Sequence, residues 1–183
     1  MENHNKSKKY STMDIVMTGL FAAVIAVLSQ IAIPMPSGVP VTLQTFAIAL
    51  TGYFLGKRNA FMSAFIYVLV GAVGMPVFAN FKGGIAAITG VTGGFIIGFI
   101  FMALLCGIGS ESDNRIITIA LGIAGLIVDH LFGVIQFTIL TDKSFVQSLL
   151  VVSVPYLLKD VISVVIAYAL GVEVKKRIPV FNK

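Results

Sequence analysis

The sequence predicts an all-α integral membrane protein: six transmembrane helices in one bundle, with both termini in the cytoplasm. Three observations carry that expectation. Of the 183 residues, 57% are hydrophobic and 11% charged, against roughly 25% charged in an ordinary soluble domain. Apolar stretches of about 18 residues, each able to cross a hydrocarbon core of about 30 Å as a helix, recur along the chain. These stretches are continuously apolar instead of alternating, which favours helices over a barrel. Residues 1–183 therefore read as a single membrane domain.

The expected spans are residues 13–33, 41–55, 60–78, 93–108, 116–140 and 154–172. The second and fourth are short. The first is longer than the core of a signal sequence and no small-residue cleavage pattern follows it, so it is expected to remain in the protein. Orientation comes from the basic residues in the connections. With the N-terminus inside, inner segments hold Lys6, Lys8, Lys9, Lys57, Arg58, Arg115, Lys175, Lys176, Arg177 and Lys183, and outer ones only Lys82 and Lys143. The net charge of +5 is thus a topology signal. Its scatter over four short segments without interleaved aromatics argues against nucleic acid as a partner. The lipid bilayer is the expected surrounding, and the expected location is the cell membrane, crossed several times.

On the first helix Gly19, Ala22, Ala23 and Ala26 form a small-residue face, with Ala22 and Ala26 four apart, as close helix approach requires. Asp14 in the first turn complements the helix dipole. Residues 33–45 then read IPMPSGVPVTLQT, a stiff proline-rich loop leading into an apolar segment that carries Thr42, Gln44 and Thr45. The second outer loop, residues 79–92, holds Asn80, Lys82, Thr89 and Thr92 among Gly83, Gly84 and Gly90, so its backbone can approach another group closely. The inner connections GKRN and GSESDNR read as plain solvated turns.

Ionisable residues within membrane spans face the bundle interior or a water-filled cavity. Asp129, His130 and Gln136 decorate the fifth span. Lys159 and Asp160 follow Pro155 by four and five residues, so the last helix is expected to begin near Pro155 at the outer side, with Ser153 as its cap. Adjacent positions diverge by about 100° on a helix, so Lys159 and Asp160 are expected to line different parts of a cavity without forming an ideal ion pair.

Catalytic motifs are missing: there is no HExxH, CxxC or GxSxG. The stretch GYFLGKR is one residue too short for a phosphate-binding loop and lacks Ser or Thr after its lysine. The chain is not expected to be an enzyme or to hydrolyse ATP alone, and no cofactor or metal is expected. Accumulating a ligand then needs an ion gradient or another subunit.

The blocks IPMPSGVPVTLQTFAIALTGYFLG and YVLVGAVGMPVFANFKGGIAAITGVTGGFIIGF, together with PYLLKD, resemble the BioY family. These are the biotin-specific substrate-binding (S) components of energy-coupling factor (ECF) transporters. The resemblance implies a six-helix bundle that binds biotin tightly from the outside, while a transmembrane scaffold subunit and two ATPase subunits supply the power stroke. The family's AxxxA scaffold-contact motif falls on Ala22 and Ala26. For the ligand, Asp160 is expected to accept ureido N–H bonds, with Asn80, Gln44 and Thr42 as further polar partners and Lys82 or Lys159 facing the carboxylate. Thr92 completes the polar set, and Tyr53, Tyr67, Phe78 and Tyr156 are candidates for the apolar thiophane and tail. The family's last helix carries Asp followed three residues later by Lys. Here Asp160 matches, Ser163 stands at the lysine position, and Lys159 is the nearest lysine. The alternatives are an S component for another vitamin, a gradient-driven carrier working alone, and a membrane enzyme using Asp129 or His130 as acid or base.

Overall fold

A computed structural model describes residues 10–177. Lys6, Lys8, Lys9 and Lys183, counted among the inner charges, lie outside the described residues. The chain is mostly helical: α1 (Thr12–Ser29), α2 (Gln44–Ala72), α3 (Ile85–Thr89), α4 (Gly93–Gly109), α5 (Arg115–Thr141), α6 (Phe145–Val152) and α7 (Val154–Arg177). Two-residue strands β1 (Ala32–Ile33) and β2 (Val41–Thr42) pair antiparallel, Ala32 with Thr42 and Ile33 with Val41. They close the proline-rich loop at its base, a small exception to the all-α expectation. By length and apolarity, α1 and α5 can each cross a membrane, and α6 with Val154–Lys175 forms a third candidate bent by 52°. The helix α4 is apolar and shorter.

A capping box starts α1: the Ser11 hydroxyl accepts from Asp14 N–H at 3.1 Å and the Asp14 carboxylate accepts from Ser11 N–H at 2.9 Å. Thr18, Ala22, Ile25 and Ser29, spaced by four, three and four, form its buried stripe. The helix α2 breaks into two halves at Gly56, where φ is 77° and ψ 169°. Its halves fold back on each other. A straight helix would separate residues 44 and 67 by about 35 Å, yet Gln44 Nε2 donates to Tyr67 Oη at 2.7 Å.

At the Gly56 end of the bundle, Lys57 pairs with Glu111 at 2.8 Å and Asn59 donates to Asp14 at 2.7 Å. At the opposite end lie the loops following α1 and α2. The second half of α2 stops at Ala72, six residues before the expected end, because Gly74 (φ 109°) and Pro76 cannot continue it. Residues 79–92 are not a bare loop: a 3-10 turn (Ala79–Phe81) and α3 occupy it. Gly83 lies so close to the Met75 carbonyl that no side chain fits, so its glycine serves the chain's own packing.

Residues 145–152, read as part of an outer connection, form α6. The signal is a capping box, Ser144 with Gln147 three residues on. Pro155 lacks the N–H that would bond back to residue 151, which accounts for the bend between α6 and α7. The expectation that Ser153 caps α7 by its side chain is therefore corrected: its hydroxyl meets His130 Nδ1 at 2.8 Å instead.

Candidate functional site

A cavity opens where the two outer loops meet the helices. Its walls are Val39, Pro40 and Thr42 from the proline-rich loop, Gln44 and Thr45 from α2, and Phe78, Ala79 and Lys82 around the 3-10 turn. Ala87 of α3 and Thr92, Phe95, Ile96 and Phe99 in and before α4 form the next side. Asp129 and His130 of α5, Val152 of α6, and Tyr156 and Lys159 of α7 close it. Most polar groups, Thr42, Gln44, Thr45, Asp129, His130 and Lys159, lie on the α2, α5 and α7 sides, and Phe78, Phe95 and Phe99 face them from α4 and the loop, with Thr92 and Lys82 as the polar members of that apolar side.

The last helix holds the proline-rich loop down. Tyr156 Oη donates to the Val39 carbonyl at 2.6 Å and lies 3.0 Å from Ser37 Oγ. Lys159 Nζ donates to the Thr42 carbonyl at 2.8 Å. Thr42 Oγ1 donates to Gln44 Oε1 at 3.1 Å, which leaves the Gln44 amide directed by Tyr67 on one side and Thr42 on the other.

Behind this wall runs a buried polar chain. His130 stands with Nδ1 on Ser153 and Nε2 3.3 Å from Asp160 Oδ2. Phe95 packs edge-on to the His130 ring at 5.7 Å. Asp160 Oδ1 carries the Lys159 ammonium as an ion pair but has no directed hydrogen bond, and the Thr45 hydroxyl lies beside the carboxylate. The expected separation of Lys159 and Asp160 is thus corrected. Their backbone positions diverge, but the long lysine stem curls back to the neighbouring carboxylate, where burial leaves the charge little other company.

Of the residues singled out from sequence, Thr42, Gln44, Lys82, Thr92, Tyr156 and Lys159 lie on the cavity wall. Asp160, 3% exposed, stands behind it, paired with His130 and Lys159. Asn80 is exposed on the 3-10 turn with φ 59°, outside the wall. Tyr53 and Tyr67 belong to the core, and Phe78 is both core and cavity wall. Phe95 and Val39 carry no signal in the sequence, and Thr45, Asp129 and His130, though noted as polar groups in apolar segments, stood outside the expected ligand set. Helical phase could have flagged Asp129: Gln136, seven residues on, shares its face and clamps the Ile88 and Gly90 carbonyls at 2.8 and 2.7 Å.

Ala22, at 8% exposure, is packed inside the core and Ala26 is half-buried against it. The small residues that α1 turns outward are Gly19 and Ala23, and a side chain added at Gly19 would meet nothing within 4 Å. Ala22 thus sits on the stripe that runs through Thr18 and Ile25 and packs on α2, and Ala26 is the more accessible member of the expected contact pair. Among the described residues, no group of three His, Cys, Asp or Glu gathers as metal ligands.

A family model described as the BioY family matches residues 3–180. "Biotin transporter BioY" of Thermotoga maritima is 37% identical over 163 residues, covering 88% of this chain and 95% of that relative. "Biotin transporter BioY2" of Lactococcus lactis subsp. cremoris is 31% identical over 179 residues, covering 97% and 96%. A crystal structure of the S-component for biotin from an ECF-type ABC transporter superposes with a TM-score of 0.82 at 22% identity, over 96% of this chain and 95% of that one. That likeness shows a shared fold.

Proposed function

Because this chain belongs to the BioY family, we propose that it captures biotin with high affinity from the extracellular side and is the specificity subunit of an ATP-driven ECF uptake transporter. The observation that carries the reading is the cavity under the residue 37–45 and 78–82 segments, with a few polar side chains set among apolar walls. Biotin has a ureido ring that both donates and accepts hydrogen bonds, an apolar thiophane and alkyl tail, and a terminal carboxylate. A pocket with few placed polar groups among apolar walls suits that distribution.

In this reading the ligand-binding set is Asp160, Asn80, Lys82, Lys159, Gln44, Thr42, Thr92 and Tyr156. Thr42, Gln44 and Thr92 offer polar contacts to the head, and Tyr156 packs on the apolar body. The exposed Lys82 at the mouth meets the carboxylate. Asp160 acts by holding Lys159 and His130, and Asn80 sits on the rim where the ligand enters. The chain itself hydrolyses nothing; two ATPase subunits and a transmembrane scaffold supply the energy. The scaffold docks on α1, along Gly19 and Ala23 with Ala26 at the margin.

The proposed topology is multi-pass in the cell membrane: one domain with six spans and both termini cytoplasmic. The halves of α2 count as two spans and the bent α6–α7 pair as one. Basic residues near Gly56 and at the α7 end, with the cavity at the other end, support that orientation.

Titration of the purified chain with labelled biotin tests the function, with desthiobiotin and riboflavin as competitors. Saturable binding displaced by desthiobiotin and not by riboflavin is expected. A chain indifferent to biotin would overturn the assignment.

A further inference from the structure

Nearly every polar group around the cavity already has a protein partner. The Gln44 amide is held by Thr42 and Tyr67, Tyr156 donates to Val39, Lys159 serves Thr42 and Asp160, and both His130 nitrogens are engaged. Asp129 differs. It lines the cavity and is 2% exposed, yet its Oδ1 has no hydrogen-bond partner among the described residues. Its side chain is wedged against α4, where a Cβ on Gly98 would lie 2.5 Å from Oδ1. Gly98 therefore leaves room for this carboxyl group.

We infer that Asp129 is a direct ligand contact that accepts a hydrogen bond from a ureido N–H of biotin. The inference rests on the functional reading above and adds a residue to it. At neutral pH biotin carries acceptors on its carboxylate and ureido carbonyl, and its only strong donors are the two ureido N–H groups. A buried carboxyl acceptor without a protein donor is the complement of such a donor. Asp160 is paired with His130 and Lys159, although its Oδ1 likewise lacks a directed hydrogen bond among the described residues; biotin has two ureido N–H groups, so Asp129 accepts from one whichever group meets the other. Asp129 thus distinguishes ligands with a cyclic N–H donor at this position from those without one.

The test pairs a protein change with a ligand change, using the purified full chain, biotin, and biotin methylated on each ureido nitrogen in turn. Asp129→Ala should weaken biotin binding about 5- to 150-fold, the range expected when a buried N–H donor is left without its acceptor. Asp129→Asn, which keeps a carbonyl acceptor, should lose less. Methylation of the nitrogen facing Asp129 should weaken binding to the unaltered chain and cost Asp129→Ala almost nothing further. Losses that simply multiply for both nitrogens would overturn the inference, as would unchanged biotin binding by Asp129→Ala. Failure of the unaltered chain to bind biotin would instead overturn the functional reading. Should neither Asp129 variant fold, infrared difference spectra of Asp160→Asn carrying labelled aspartate decide. A carboxyl band must still shift when biotin is added, since Asp14, Asp113 and Asp142 do not line the cavity; no shift would overturn the inference.

Discussion

His130 Nε2 lies 3.3 Å from Asp160 Oδ2, which ties α5 to α7 directly beneath the cavity. The same ring holds Ser153 at the bend between α6 and α7. One side chain thus fixes the angle of the bend and the position of the carboxylate that anchors Lys159. Asp160→Asn removes the charge that balances Lys159. Breaking one side of a fully buried pair costs about 3–5 kcal/mol; the Lys159 side chain keeps 30% exposure, so the loss is smaller and thermal unfolding in detergent should fall by a few degrees. Biotin binding should weaken at least tenfold, because Lys159 loses its anchor and releases the Thr42 carbonyl. Lys143→Ala, on the exposed connection between α5 and α6, is the control and should change neither. Equal effects of the two variants would count against a role for the His130–Asp160 contact.

Gly56→Ala should destabilise the fold without altering the cavity. At φ 77° and ψ 169°, Gly56 occupies backbone space that is essentially restricted to glycine, and strain there costs about 1–3 kcal/mol. The neighbouring space is open, since the nearest atom to an added Cβ is Glu111 Oε1 at 3.6 Å. The penalty is therefore one of backbone strain rather than of crowding. Melting temperature should drop while biotin affinity, measured well below the melt, stays within about twofold. A variant as stable as the unaltered chain would show that the hairpin can turn by another route.

Gln30→Ala should speed biotin release. The Gln30 amide donates to the Val77 and Phe78 carbonyls, each at 3.2 Å, and its Oε1 accepts from Phe81 N–H at 2.9 Å. Asn80 and Phe81 both have positive φ, 59° and 56°, a conformation disfavoured for side-chain-bearing residues. Gln30 thus helps to hold a strained turn whose neighbours Phe78 and Lys82 wall the cavity. Without it, amide hydrogen exchange over residues 77–82 should rise, and the dissociation rate should increase several-fold with global stability little changed. Unaltered exchange in that segment would mean the turn holds itself.

The helical character and the polar loop were legible because both rest on local chemistry: apolar length, proline and glycine. Lys82, Thr92, Tyr156 and Lys159 were found as chemistry-bearing residues beside those loops. What stayed hidden depends on contacts distant in sequence. Nothing near residue 160 reports that His130 will reach it, so Asp160 read as open when it is sealed. Asp129 stood out as an ionisable residue in a span, but its missing hydrogen-bond partner depends on donors distant in sequence. The α6 helix was hidden differently: its Ser144–Gln147 box is local, but an eight-residue helix is short beside the lengths expected of spans. For α1, small-residue spacing fits two registers, Gly19 with Ala23 and Ala22 with Ala26, and only packing against α2 decides which faces inward.

That choice of register predicts separable effects on binding and uptake. Gly19→Leu and Ala23→Leu enlarge the outward face of α1, where space is open at Gly19. They should leave biotin binding by the purified chain unchanged and abolish biotin uptake by cells that supply the scaffold and ATPase subunits, by blocking close helix approach. Ala22→Leu instead forces a larger side chain into the core, where overpacking costs about 1–3 kcal/mol, so it should lower the melting temperature as well as uptake. Co-purification of tagged scaffold with each variant reports docking directly. Normal docking and uptake by Ala23→Leu would place the partner surface on another part of the molecule.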